Sequence, residues 1–156
     1  MILQVGERIA GGQFADVFHP SNREHIVKVY RRVANTQEDK EGRAAFRREE
    51  IAYANVTRFA DLRVHVPGYH GCPAIDDILD EDGTSVASNY HLDCSLELDF
   101  VPGDCLKFYE LPDEYEPIAV QLLSRFDGRV AYDYDCSFFN WMDAERIIVI
   151  DFAPTS

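Results

Sequence analysis

The sequence predicts an α+β fold from three observations. Residues 4–30, 90–99 and 147–150 carry the alternating or continuous β-branched and apolar character of strands. Residues 44–59 place Ala45, Phe46, Ala52, Tyr53, Val56 and Phe59 on one stripe of helical spacing. A shorter helical pattern puts Ile118, Ala119, Leu122, Leu123 and Phe126 inward and stops at Asp127-Gly128.

Composition bounds the function classes. The chain has 156 residues, 46% apolar and 28% charged, which fits one domain with a core. No apolar run approaches the ~18 residues of a membrane span, and the first residues lack the pattern of a secretory leader. Cys72, Cys94, Cys105 and Cys136 show no Cys-x-x-Cys spacing, so reduced thiols in a cytoplasmic setting are expected. A net charge of −13 argues against nucleic acid or an anionic membrane as partner. His19, His25, His65, His70 and His91 are scattered along the chain, and no metal cluster is expected from them.

Taken in order, residues 4–30 give strand, glycine turn, strand, turn, strand. The first turn holds Gly11-Gly12 and the second spans residues 20–24. The third strand, residues 25–30, has Lys28 inside it. Residues 35–43 are polar, a loop or frayed helix start. In the helix that follows, Glu49 lies on the apolar stripe, where a carboxylate needs a partner. Residues 64–71 suggest a short strand with turns, and residues 76–83 an acidic loop broken only by Ile78-Leu79. The strand at 90–99 ends before Pro102-Gly103. Residues 106–110 suggest a short helix and 111–117 a break ahead of the second helix. Asp135 and Asn140 then stand five residues apart, and Asp151 ends the last strand.

The order of these segments resembles the protein-kinase-like superfamily. Ile9-Ala10-Gly11-Gly12-Gln13-Phe14-Ala15-Asp16-Val17 is similar to the kinase Gly-rich loop, with alanines at two of its glycine positions. Leu98-Asp99-Phe100-Val101-Pro102-Gly103 resembles the kinase hinge. Asp135-x₄-Asn140 followed by Ile150-Asp151-Phe152 resembles the catalytic loop and the metal-binding Asp-Phe-Gly. The resemblance implies a five-stranded antiparallel N-lobe sheet with one C-helix over about residues 1–100, and a truncated, mainly helical C-lobe over 101–156. It assigns Gly11, Gly12 and Lys28 to phosphates, Val17 and Ile26 to the roof over adenine, and Met142 to the floor. Leu98 would back the pocket, and the backbone of Asp99 and Val101 would bond the base. Glu49 would pair with Lys28, with Glu50 as rival. Asp135 would be the base, with Asp133 as rival, and Asn140 and Asp151 the Mg²⁺ ligands.

Three departures accompany the resemblance. Asp133-Tyr134 stands where the family has His-Arg, Ala153 replaces the last glycine, and only Pro154, Thr155 and Ser156 follow. The chain is therefore similar to compact bacterial effector kinases, which act in a cytosol and lack an activation segment. The implied activity is ATP- and Mg²⁺-dependent phosphoryl transfer to a protein or small-molecule hydroxyl. The alternative is a pseudokinase that binds nucleotide or a protein partner without transfer.

Overall fold

The computed structural model describes residues 1–21 and 23–154. Asn22 of the expected 20–24 turn, and the terminal Thr155 and Ser156, lie outside them. Among the described residues nine strands form three sheets. β1 (Ile2–Gln4) and β5 (Asp77–Leu79) make a parallel pair. β2 (Arg8–Gly11), β3 (Ala15–Phe18), β4 (His25–Arg31) and β6 (Tyr90–Asp99) make an antiparallel sheet in that order. β7 (Cys105–Lys107), β8 (Ser137–Phe139) and β9 (Ile148–Ile150) make a second antiparallel sheet. The helices are α1 (Thr36–Val56), α2 (Ala60–Arg63) and α3 (Glu116–Ser124).

The expected five-stranded sheet with a mainly helical second lobe is therefore corrected. The antiparallel sheet has four strands, a parallel pair stands apart from it, and the C-terminal part carries a sheet of its own. The physical reasons are local. Ile78, the apolar break in the acidic stretch, is fully buried in β5, while its neighbours tie the turn that follows. Asp77 accepts from Ser85 Oγ, and Asp80 Oδ1 accepts the N–H groups of Asp82 and Thr84. Leu106 and Lys107, the start of the expected 106–110 helix, join Cys105 in pairing with β8 instead, aligning Cys105 with Phe139 and Lys107 with Ser137.

The chain divides into two compact units: Met1–Arg47 with Tyr69–Phe100, and Arg48–Gly68 with Val101–Ser156. Among the described residues no helix is long and apolar enough to cross a membrane.

In the first unit one face of the four-stranded sheet is dry. Leu3, Phe18, Val27, Val29, Ile78 and Tyr90 pack into one core. α1 begins at Thr36, well ahead of the expected 44, because Asn35 caps it. The Asn35 carboxamide oxygen accepts the Glu38 N–H at 3.0 Å, and Glu38 and Asp39 sit in the first turn, where the helix dipole favours acids.

Asp16 on β3 is a buried acid satisfied on several sides. Tyr90 Oη donates to it at 2.7 Å, Arg31 Nη1 at 2.7 Å, and Arg8 lies 3.7 Å away. Burial, then the bond to Asp16, pushes the Tyr90 hydroxyl up to about 12 from the usual tyrosine value of 10. The protonated hydroxyl is thus favoured by the fold. Its contribution is fully present below pH 10 and is lost as pH rises from about 10 to 12. Urea unfolding at pH 9 and pH 12 is expected to show a steeper alkaline loss of stability in the wild type than in Tyr90→Phe.

The second unit is built on aromatic edges. Phe152 meets Tyr53 at 5.1 Å and Phe126 at 5.4 Å between ring centres, both T-shaped, and all three rings are fully buried. Arg129 donates both of its terminal nitrogens to Asp61 at 2.9 Å and lies 4.9 Å over the Phe59 ring. β9 is fastened by His65, whose Nδ1 bonds Ile147 O at 2.8 Å and whose carbonyl accepts the Val149 N–H at 2.9 Å.

Candidate functional site

The β8–β9 hairpin organises the acidic residues of the second unit. It pairs Ser137 with Ile150, Phe138 with Val149 and Phe139 with Ile148. Phe138 and Val149 are fully buried, so the hairpin's register is set by its apolar face. Asp151 follows β9 with φ 54°, in the left-handed region. That turn carries Asp151 outward while sending Phe152 into the aromatic core. Among the described residues, Asn140 (φ 50°) is the other non-glycine residue of positive φ. Such conformations are uncommon for residues with a Cβ and concentrate at functional positions.

Asp133 and Asp135 are drawn to the same end of the hairpin. The Asp133 N–H donates to Phe152 O at 3.0 Å, and Asp133 Oδ1 accepts the Asp135 N–H at 2.9 Å. Between them and β8 lies Cys136, fully buried. Its thiol is pushed up to about 12 by burial first, then by the charges of Asp133, Asp135 and Asp151, with Lys107 opposing. Cys105 is also raised, by burial and then by Asp151. Lys107 Nζ stands 3.7 Å from Asp135 Oδ1. It went unassigned in the sequence because Cys105-Leu106-Lys107 carries only a three-residue alternation, which a short helix start also fits.

Asn140 lies at the other end. The three ladder pairs separate it from Asp151 by about 13 Å, four strand steps of roughly 3.3 Å. Its carboxamide donates to Arg146 O at 3.3 Å, closing the turn over residues 140–146. The hairpin therefore does not bring Asn140 and Asp151 to one ion; the acids beside Asp151 are Asp133 and Asp135. Met142, assigned to the adenine floor, is on the Asn140 turn and exposed.

In the first unit, strand register brings four assigned residues onto one sheet face. Val17 pairs with Lys28, Lys28 with Leu96, and Ile26 with Leu98. Opposed residues of an antiparallel pair share a face, as do residues two apart. Val17, Ile26, Lys28 and Leu98 thus lie together, opposite the dry face. Lys28 Nζ is 5.7 Å from the Tyr30 ring centre.

Gly11 closes β2 opposite Asp16, and the Gly12 N–H, expected to face phosphate, donates to Ala15 O at 2.8 Å. Arg31 straps the loop: Nη2 donates to Gly12 O at 2.5 Å and Gln13 O at 2.7 Å. Asp99 ends β6 opposite His25, and Val101 opens the second unit's C-terminal segment. Glu49 is a buried acid of α1 in the second unit, and Glu50 is more open.

No protein-family model matches the chain, and no curated protein does either.

Proposed function

We propose that the protein is an ATP- and Mg²⁺-dependent phosphotransferase acting on a hydroxyl of a protein or small molecule. The observation that carries this reading is that the Asp133 N–H bond to Phe152 O, the Asp135 N–H bond to Asp133 Oδ1 and the pairing of Ser137 with Ile150 place Asp133, Asp135 and Asp151 at one end of the β8–β9 hairpin, with Asp151 in a left-handed backbone. Neighbouring carboxylates repel, and a divalent cation removes that repulsion. Hard, exposed carboxylate oxygens suit Mg²⁺. Asp151 would hold the ion, which draws off charge from the transferring phosphoryl group. Lys107 adds a positive charge beside Asp135. In the first unit, the shared sheet face of Val17, Ile26, Lys28 and Leu98 supports the nucleotide part of the reading, as an apolar roof for adenine with Lys28 beside it for phosphate.

Asp133 and Asp135 divide the remaining work. Asp133 is tied by its N–H to Phe152 and by Oδ1 to Asp135, so it positions the loop. Asp135 orients the acceptor hydroxyl. Asp135→Ala is expected to lower transfer by about 10²- to 10³-fold while nucleotide affinity changes less than threefold. Lys28→Ala is expected to lower transfer by about 10²-fold or more through lost stabilisation of phosphate charge. Transfer is read by mass spectrometry of the protein incubated with labelled ATP and Mg²⁺, with and without lysate, and affinity by calorimetry. Equal transfer by Asp135→Ala and wild type, with Asp133→Ala inactive, would move the acceptor-orienting role to Asp133.

A second reading has specific support. The Gly12 N–H closes its hairpin, and Asn140 stands at the far end of the ladder from Asp151. Both favour a module without transfer, binding nucleotide or a protein partner. It predicts saturable Mg²⁺-dependent nucleotide binding with no phosphorylated product in the same assays.

A further inference from the structure

The four-stranded sheet gathers a second set of ligand-type side chains, far from one another in sequence. β4 and β6 pair His25 with Asp99. Residues 69–71 run along the other side of β6. Tyr69 bridges Leu98, the His70 N–H donates to Glu97 O at 2.9 Å, and the Glu97 N–H donates to Gly71 O at 2.8 Å. Three adjacent extended segments therefore set His25, Asp99 and His70 abreast. The two imidazoles stack at 4.0 Å with 16° between their planes. His70 Nε2 lies 2.7 Å from Asp99 Oδ1, and His25 Nε2 lies 3.4 Å from the same oxygen. One ligand atom from each residue falls within 4.8 Å of the other two.

These separations match what a small borderline cation asks of its ligands. With Zn–N and Zn–O near 2.1 Å and tetrahedral angles, two ligand atoms on one ion stand about 3.3 Å apart. The observed 2.7 and 3.4 Å lie on either side of that value. The surroundings supply a second, independent feature. His25 Nδ1 is 3.1 Å from Glu97 Oε2, and Arg23 Nη1 holds the same oxygen at 3.2 Å. A metal-bound histidine characteristically gives its other ring N–H to a carboxylate, which leaves the metal-facing nitrogen with its lone pair. Here Glu97 takes that position for His25, and Nε2 is the nitrogen turned to Asp99.

We propose that His25, His70 and Asp99 form a transition-metal site of the Zn²⁺ class, with Glu97 as the outer carboxylate. Two imidazoles and one carboxylate suit Zn²⁺ and its neighbours over Mg²⁺ or Ca²⁺. The side chains are partly open to solvent, at 32%, 38% and 51% exposure, so water completes the coordination and the site exchanges its ion. The proposal is independent of the phosphotransferase reading: it uses residues of the first unit and no nucleotide.

The test titrates the chelator-stripped full chain with Zn²⁺ by calorimetry and with Co²⁺ by absorption. One equivalent is expected to bind at micromolar affinity or tighter. His25→Ala, His70→Ala and Asp99→Asn are each expected to weaken binding at least tenfold, and Glu97→Gln by roughly 10- to 100-fold. Cys72, exposed and two residues beyond His70, is the competing ligand. Cys72→Ser is expected to keep full affinity, and the Co²⁺ spectrum to lack thiolate charge transfer. Should His70→Ala not fold, His70→Gln gives the same reading, with circular dichroism checking each variant. The proposal is overturned if the wild type binds no stoichiometric Zn²⁺, if both histidine variants bind as the wild type does, or if binding is lost in Cys72→Ser alone.

Discussion

Asp151→Asn is expected to lower phosphoryl transfer by about 10³-fold or more and to remove the Mg²⁺ dependence of nucleotide binding together with it. Asparagine is the informative replacement. Asp151 has φ 54°, a conformation that asparagine tolerates and alanine does not adopt freely. Alanine would add roughly 1–2 kcal/mol of backbone strain to the lost carboxylate and confuse folding with function. Asparagine keeps the shape and one oxygen while removing the charge. Nucleotide affinity is measured by calorimetry with Mg²⁺ and with excess chelator. The variant is expected to give the same weak value in both. A variant that keeps the wild type's Mg²⁺ dependence would place the metal on other residues.

Phe152→Ala is expected to destabilise the protein by about 3–5 kcal/mol, a large share of the stability of a typical domain. Phe152 is fully buried and makes edge contacts with Tyr53 and Phe126, so its removal leaves a cavity that two rigid rings cannot collapse to fill. Its carbonyl also accepts the Asp133 N–H, which couples the aromatic core to the acidic loop. Phe152→Leu retains most of the volume and is expected to lose less, about 1–2 kcal/mol. Urea unfolding followed by tryptophan fluorescence, using Trp141, gives both values. Equal losses in the two variants would mean that ring packing does not set the stability of this unit.

The parts legible in the sequence are those whose pattern is long. β4, β6 and the stripe of α1 span many residues, and their periodicity announces both element and buried face. Glu49 could be singled out because one acid interrupted that stripe, and the structure finds it buried. The start of α1 stays open between loop and frayed helix over residues 35–43 because its first turns are polar on every face, and only the cap at Asn35 marks the boundary.

Of the five strands of three residues, β9 was legible from the apolar run 147–150, whereas β1, β5, β7 and β8 carry too few alternations to separate from loop or helix, and their pairings are non-local. Ser137-Phe138-Phe139 illustrates the consequence. It falls inside the five-residue spacing of Asp135 and Asn140. Read as a loop, it lets both side chains meet one ligand; formed as a strand, it carries Asn140 to the far end of the hairpin. The gathering of His25, His70 and Asp99 was illegible for the same reason. It depends on β4, β6 and residues 69–71 lying side by side, and no local pattern encodes that.

The central claim is that the carboxylates at the base of the β8–β9 hairpin act with Mg²⁺ to move a phosphoryl group. The most direct measurement is transfer from γ-labelled ATP by the purified full chain, with Mg²⁺ and then with chelator, beside Asp151→Asn. The account predicts labelled product, on the protein itself or on a lysate component, that requires Mg²⁺ and disappears in Asp151→Asn. Label that appears equally in wild type and Asp151→Asn, or no label and no Mg²⁺-dependent binding of ATP at millimolar concentration, would contradict it.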